Sequence, residues 1–340
     1  MKYRALPDGS RVKKPVKTAL VLSGGGAKGA YQVGVIKELL SRDISFDLVT
    51  GASIGAFNAA LLAEFLRSDN YDNSPGERLE EVWLDIEKFL PLNWSGFLKN
   101  IATPLKLPSI FSNKNIKSLL RKHIGVDRSF SDYTDCQLSV TGTNLDRKTK
   151  TVFDFNSETD VVNAVLASMA YPVGLPCMKL GEEKYIDGGV LDNAPLKEAI
   201  LWGAKQIYLV FLNPLSVIET EVKDELIEYD SDFPAWKVID ELIDLASNNL
   251  MYGDMKRAKK INQLLRLIDL YEGELPDTFL SQLYDIFGLK RGEGKRIVNI
   301  IKIAPDNILD PPGTMGFGQK QVIKELIKRG KKDVSIKNNL

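Results

Sequence analysis

Within its first 65 residues the chain twice places a short apolar run, a glycine-bearing loop and an amphipathic segment in succession. The first unit, TALVLSGGGAKGAYQVGVIKELL, predicts a buried strand, a glycine loop and a helix over 30–41. In that helix Val33, Ile36, Leu39 and Leu40 recur at helical spacing. The second unit, FDLVTGASIGAFNAALLAEFLR, predicts another strand and helix. Strands that alternate with helices in this way predict a parallel sheet covered on both faces.

The later segments supply more strands and two helical regions. QLSVTGTNLDRKTKTVFDF predicts a hairpin, and KYID, KQIYLVFLN and RIVNIIKIAP predict further strands. We expect one continuous domain over 17–330, between a flexible basic tail of residues 1–16 and a C-terminal tail of residues 331–340. Residues 70–125 are predicted as a helical cap or lid, and residues 236–290 as a helical insertion.

Composition excludes several classes of protein. The 45 basic residues balance the 45 acidic ones, so no overall field favours nucleic acid, and we expect no nucleic-acid partner. Two distant cysteines suit a reducing compartment. The single histidine, His123, excludes the multi-histidine sites of most zinc hydrolases. We expect His123 at the surface near a helix C-terminus, where its charge suits the helix dipole.

No membrane-targeting segment is expected from the sequence. The apolar run TALVL is shorter than the apolar part of a signal peptide. No stretch of roughly 20 apolar residues free of helix breakers occurs, so we expect no transmembrane segment.

The first glycine loop has two possible functions. Gly24-x-Gly26-x-x-Gly29 matches the dinucleotide-binding fingerprint between a strand and a helix. That type of site also needs an acidic residue at the C-terminal end of the next strand, to bind the ribose. Here Asp47 stands at the start of that strand and GASIG at its end. A nucleotide site is therefore disfavoured.

GASIG is a G-x-S-x-G sequence between a predicted strand and a predicted helix, which is the context of a nucleophile elbow. A sharp turn there would present the hydroxyl of Ser53 above the edge of the sheet. Gly51 and Gly55 flank the serine, where any Cβ would crowd the turn. Ser53 is therefore predicted as a nucleophile.

A serine hydroxyl needs a base to remove its proton. The order Ser…Asp…His of the α/β-hydrolases is impossible here, because His123 precedes the later acidic candidates. The base is then His123 out of order, a lysine or a carboxylate acting directly. Among the carboxylates Asp187 stands out, since it ends a predicted strand and is followed by Gly188 and Gly189. A second strand–glycine turn–helix unit would bring it to the same sheet edge as Ser53. Asp192 is expected at the start of the following helix.

Four ordered motifs, SGGGAKGAYQVGV, GASIGAFNA, ASMAYPVGLP and DGGVLDNAPL, resemble those of the patatin-like phospholipases of bacteria. The resemblance covers roughly residues 17–330. It implies a three-layer α/β/α sandwich with a mostly parallel central sheet and helical insertions. It also implies a Ser–Asp catalytic dyad, with Ser53 as the nucleophile and Asp187 as the base.

The same resemblance assigns the glycine loop to an oxyanion hole. The backbone amides of Gly25, Gly26 and Ala27 would point at the oxygen that becomes negative as Ser53 attacks. Lys28 either adds its charge to this hole or stabilises the loop by pairing elsewhere.

The family implies hydrolysis of fatty-acyl esters of phospholipids or lysophospholipids. Two alternatives stay open: a non-catalytic lipid-binding or regulatory protein, and an acyltransferase to an acceptor other than water. We expect a lipid substrate met at a membrane surface, a cytoplasmic protein peripheral to that membrane, and neither a cofactor nor a metal ion. Head group, acyl position, chain length and oligomeric state are left undetermined by the sequence.

Overall fold

A computed structural model of the protein describes residues 15–67, 74–86, 113–172, 175–218, 235–271, 276–278, 281–282, 297–309 and 319–336. Within these residues eight strands form one sheet. They are β1 Thr18–Leu22, β2 Leu48–Ala52, β3 Gln137–Asn144, β4 Thr149–Phe153, β5 Met178–Leu180, β6 Glu183–Asp187, β7 Gln206–Val210 and β8 Asn299–Ile303.

The sheet has the order β5-β6-β3-β2-β1-β7-β8, with β4 on the free edge of β3. Strands β3, β2, β1, β7 and β8 are parallel to one another. The other three strands run antiparallel to their neighbours, and β3 and β4 form the predicted hairpin. The prediction of a mostly parallel central sheet is therefore confirmed.

Side chains of successive residues on the central strands are buried on alternate faces of the sheet. On β1, Leu20 and Leu22 belong to one hydrophobic cluster, while Ala19 and Val21 belong to a second cluster. The same alternation holds on β7. Because both faces are covered, these strands are continuous apolar runs.

Helices form the two outer layers. They are α1 Gly29–Ser41, α2 Ile54–Phe65, α3 Pro75–Asp85, α4 Asn113–Ile124, α5 Val161–Ser168, α6 Leu196–Leu201, α7 Leu215–Ile218, α8 Ala235–Tyr271 and α9 Lys320–Ile336. The first cluster contains side chains of α1 to α5 and α9, and the second contains side chains of α6 and α8. The three-layer α/β/α sandwich is confirmed. Every residue of α2 is buried, so this helix lies in the centre of its layer.

The edge of β3 that faces β2 has two partners in succession. Residues 137–141 pair with β2, and residues 142–144 pair with β6. Strand β4 occupies the opposite edge over 140–144, so β2 and β6 share one edge and meet end to end. Thr141 pairs with Ala52, the last residue of β2, and Gly142 pairs with Asp187, the last residue of β6. This junction brings the ends of two distant sequence motifs together.

The sequence-based segment boundaries differ from the structure at the C-terminus. Helix α9 continues to Ile336, beyond residue 330, where the predicted domain ends. It continues because Val334 is buried and the hydroxyl of Tyr31 donates to Asp333 at 3.1 Å. Of the predicted cap, α3 and α4 pack on the first cluster, whereas residues 87–112 lie outside the described residues. Its role as a lid stays a prediction.

Candidate active site

Ser53 occupies a sharp turn between β2 and α2. Its backbone angles, φ 54° and ψ −124°, lie where a residue with a side chain is strained, as at a nucleophile elbow. The turn is tight: a Cβ on Gly51 would lie 2.4 Å from the carbonyl carbon of Gly55, and one on Gly55 would lie 2.3 Å from the carbonyl oxygen of Leu22. The amide of Ser53 donates to the hydroxyl of Ser168 at 2.9 Å, which anchors the strained residue.

The structure brings Ser53 and Asp187 into direct contact. The hydroxyl of Ser53 donates to Oδ2 of Asp187 at 2.5 Å. The prediction that both residues lie at one place is met, but the reason given for it is wrong. Strand β6 is antiparallel to β3, so Asp187 does not lie at the shared C-terminal edge of parallel strands. It reaches Ser53 because β6 runs toward the end of β2 along the same edge of β3.

The carboxyl group of Asp187 is buried and held by neutral donors. The backbone amide of Gly189 donates to Oδ1 of Asp187 at 2.7 Å. The main-chain carbonyl of Asp187 accepts from the hydroxyl of Thr143 at 2.9 Å. A Cβ on Gly188 would lie 2.1 Å from the carbonyl oxygen of Thr141, so the strand end packs closely on β3. Burial raises the pKa of Asp187 to about 7, although the hydrogen bonds from Ser53 and Gly189 act to lower it.

The glycine loop lies beside Ser53 and leads into α1. Gly25 and Gly26 have φ of 151° and 58°, which favour glycine. The residues 26–28 form a short 3₁₀ turn before α1, and the first amides of a helix have no acceptor inside it. A Cβ on Gly24 would lie 3.0 Å from the Cβ of Ser53, so loop and serine are neighbours. Helix α2 begins directly after Ser53, so the positive end of its dipole also lies at the site.

Lys28 is buried, and its ammonium group donates to Oδ1 of Asn213 at 3.0 Å. Of the two roles expected for Lys28, this contact favours stabilisation of the loop. Asn193 holds the other end of the same loop. Its Oδ1 and its main-chain carbonyl both accept from the amide of Gly24, at 3.1 and 3.0 Å.

His123 is remote from this site. Its ring meets the ring of Phe65 edge to face, with centroids 6.0 Å apart, at the C-terminal end of α2. Ser53 precedes the first residue of the same 12-residue helix, so the length of α2, about 18 Å, separates the two ends. His123 lies in the last turn of α4, as expected, but it is half-buried rather than exposed, and burial lowers its pKa. A histidine base for Ser53 is excluded by this placement.

Asp192 does not cap the following helix. Helix α6 begins after Pro195 without a side-chain cap, and Asp192 instead accepts from the ammonium group of Lys150 at 2.8 Å. Lys150 also donates to Glu198 at 2.8 Å. Asp192 is thus a buried member of an ion-pair cluster.

Several residues that support the site were missed from the sequence. Asn58 of α2 donates to the main-chain carbonyl of Gly29 at 3.0 Å and to the Gln32 side chain at 2.8 Å, and it accepts from the Trp83 indole at 2.8 Å. This network ties α2 to the start of α1. The available signal was a lone amide in the apolar run IGAFNAALL. Ser168 carried a similar signal as a hydroxyl in VLASMA.

None of the helices in the described residues is both long and apolar enough to cross a membrane. Among the same residues, no group of three or more histidine, cysteine, aspartate or glutamate side chains is arranged to bind a metal ion.

Comparison with known proteins gave several relatives. The chain is 31% identical over 214 residues to a cGAMP-activated phospholipase of Escherichia coli strain TW11681, covering 56% of this chain and 56% of the relative. It is 30% identical over 198 residues to the lysophospholipase NTE1 of Kluyveromyces lactis, covering 56% of this chain and 12% of that protein. The chain therefore matches about half the length of the bacterial relative and a small part of the fungal one.

Among solved structures, VipD from Legionella pneumophila aligns with a TM-score of 0.41 at 15% identity, over 98% of this chain and 69% of that chain. The family model for patatin-like phospholipases matches residues 20–200, just over half of the 340 residues, and these residues contain the glycine loop, Ser53 and Asp187. The chain therefore belongs to the patatin-like phospholipase family.

Proposed function

We propose that the protein is a serine acyl hydrolase that cleaves fatty-acyl esters of phospholipids or lysophospholipids through an acyl-enzyme on Ser53. The observation that carries the proposal is the 2.5 Å hydrogen bond from the Ser53 hydroxyl to the buried carboxyl group of Asp187. A carboxylate in that position accepts the serine proton directly, without a histidine between them.

In the first half of the reaction Ser53 Oγ attacks the ester carbonyl carbon while its proton passes to Asp187. The negative charge that forms on the carbonyl oxygen is stabilised by the amides of Gly25, Gly26 and Ala27. The carbon–oxygen bond to the alcohol then breaks, and the leaving oxygen takes the proton from Asp187. The products of this step are the free alcohol and an acyl ester of Ser53.

In the second half, water replaces the alcohol. Asp187 accepts a proton from the water as its oxygen attacks the acyl carbon. The bond from that carbon to Ser53 Oγ breaks, and Ser53 recovers a proton from Asp187. A pKa of about 7 suits both steps, because a base works best when its pKa lies near the working pH.

The substrate class rests on the family and on its relatives. Patatin-like phospholipases act on lipid esters by the name of the family, and the relatives named above are a phospholipase and a lysophospholipase. A long-chain acyl ester presented at a membrane surface is the substrate that we infer from them.

The first experiment is labelling with a long-chain alkyl fluorophosphonate, which forms a stable adduct with an activated serine. Intact mass and peptide mapping would be read on the wild type and on Ser53→Ala, with detergent or lipid vesicles present. We expect one adduct, on Ser53, and none in the variant. Release of fatty acid from a lysophospholipid should be lost in the same variant.

Each other outcome identifies one of the alternatives. The absence of any adduct under all of these conditions would contradict the proposal and favour a lipid-binding protein. An adduct on Ser53 with acyl transfer to an added alcohol, but no release of fatty acid, would favour an acyltransferase. Full hydrolysis by Ser53→Ala would place the nucleophile elsewhere.

A further inference from the structure

One face of helix α8 contacts the turn that holds Asp187, and it also contacts Asn193 and Asn213, which hold the glycine loop. Met251 lies four positions after Ser247 and three after Asn248, so all three side chains lie on one side of the helix. The hydroxyl of Ser247 is buried and donates to the main-chain carbonyl of Gly189 at 2.9 Å. Gly189 is the residue whose amide holds Asp187. This side of α8 therefore supports the turn that carries the base.

The next residue of α8 supports the glycine loop through a chain of hydrogen bonds. Asn213 donates through Nδ2 to Oδ1 of Asn248 at 3.1 Å, and Oδ1 of Asn213 accepts from Lys28 at 3.0 Å. The direction of this chain is determined by chemistry. An ammonium group has only donors, so Asn213 must present its oxygen to Lys28. Its NH₂ group then faces Asn248, which must present an acceptor.

A third contact of α8 reaches the other end of the loop. The side-chain nitrogen Nδ2 of Asn193 lies 3.8 Å from the sulfur of Met251. The side-chain oxygen Oδ1 of Asn193 in turn accepts from the backbone amide of Gly24. Three successive contacts from one helix face thus reach the base turn and both ends of the glycine loop.

We propose that Asn248 is a positioning residue, which sets the glycine loop relative to Ser53 and Asp187 through Asn213 and Lys28. The assignment rests on the proposed function, since it gives the loop its role in stabilising the oxyanion. Helix α8 contacts the base turn directly and reaches the loop through Asn213 and Asn193. A displacement of the loop would move its amides away from the reacting oxygen. A displaced oxyanion hole lowers turnover more than it weakens substrate binding.

The neighbouring residue supplies a matched control. Asn249 is exposed on α8. Asn248→Ala removes the acceptor that Asn213 needs, Asn249→Ala removes an exposed amide, and Asn248→Asp keeps an acceptor oxygen. We expect kcat of lysophospholipid hydrolysis to fall about 10-fold in Asn248→Ala, with KM nearly unchanged. This is less than the about 10²–10³-fold that follows removal of a donor of the hole itself. Asn249→Ala should equal the wild type, and Asn248→Asp should recover most of the loss.

Equal kcat values for Asn248→Ala and Asn249→Ala would overturn the proposal, as would an Asn248→Asp variant no better than the alanine variant. Amide hydrogen exchange over residues 24–30 separates this result from a failure of the proposed function. Faster exchange in Asn248→Ala than in Asn249→Ala supports the positioning role even if the wild type hydrolyses no lipid. Equal exchange in the two variants contradicts it.

Discussion

Asp187 and Asp192 stand five positions apart in one short segment and have different surroundings. Both are buried, and burial raises the pKa of each. Asp187 is held by a hydroxyl and a backbone amide, whereas Asp192 is paired with the ammonium group of Lys150. A buried carboxyl group with neutral donors can take up a proton near neutral pH, while the cation of Lys150 acts to lower the pKa that burial raises at Asp192. The partner, rather than burial itself, separates the proposed base from a structural group.

The two aspartates also differ in what they contact along the sheet. Asp187 ends β6 and faces the end of β2, where Ser53 lies. Asp192 follows the glycine turn, and its carboxylate meets a lysine of β4. The chain therefore directs one carboxylate to the hydroxyl of Ser53 and the other to an ion pair that ties the turn to the hairpin.

The largest expected effect is the loss of turnover in Asp187→Asn. An amide cannot accept the serine proton, and a general base contributes about 10²–10⁴-fold to such a step. We expect kcat/KM for lysophospholipid hydrolysis to fall by that factor. The matched variant is Asp192→Asn, which should keep turnover within about threefold of the wild type, since it touches no reacting group. Equal losses of kcat/KM in the two variants would show that Asp187 and Asp192 do not differ in the role proposed for them.

The second expected effect is a decline of activity in acid. Asp187 must be ionised to act as a base, and its pKa is raised to about 7. As the pH falls below 7, the ionised fraction falls tenfold per unit, so kcat/KM at pH 5 should be about 100-fold below its value at pH 8. Asp192→Asn should show the same profile. An activity that stays level down to pH 5 would mean that the base has an ordinary carboxyl pKa.

The smallest expected effect concerns the ion pair, and it falls on stability. Lys150→Met leaves Asp192 and Glu198 without their cation. Loss of one partner costs about 3–5 kcal/mol for a fully buried pair, and this partly buried cluster should lose no more than that. The folded variant then binds protons more tightly than the unfolded chain. Its deficit should therefore be smallest near pH 4 and should grow as the pH rises to 7. Urea unfolding at several pH values measures it.

A deficit that is equal at pH 4 and pH 7 would contradict the role assigned to Lys150. The fluorophosphonate reaction at Ser53 provides the control, because its pH dependence should be the same in the folded variant as in the wild type.

The sequence predicted those parts of the protein that depend on local patterns. The period of apolar residues predicted the strands and helices around the two glycine motifs, and G-x-S-x-G predicted the turn at Ser53. The position of Asp187, at the end of a strand and before two glycines, indicated a special turn there. These signals are local because turn geometry and strand burial are properties of a few consecutive residues.

Properties that depend on pairing between distant segments were not predicted. The antiparallel direction of β6 depends on which edge of β3 is free, and no local pattern specifies that. The partner of Asp192 was missed because Lys150 lies 42 positions away on another strand. The links from α8 to Gly189 and Asn213 were missed for the same reason, since serine and asparagine are also common on exposed helix faces.

We propose that Asp187, and no other group, activates Ser53. The most direct test is the second-order rate constant for adduct formation at Ser53 by a long-chain alkyl fluorophosphonate, measured at pH 8 by intact mass. Wild type, Asp187→Asn and Asp192→Asn would be compared. We predict a rate at least about 100-fold lower in Asp187→Asn and a rate near the wild-type value in Asp192→Asn. A wild-type rate in Asp187→Asn would rule out Asp187 as the base, because Ser53 would then lose its proton to another group.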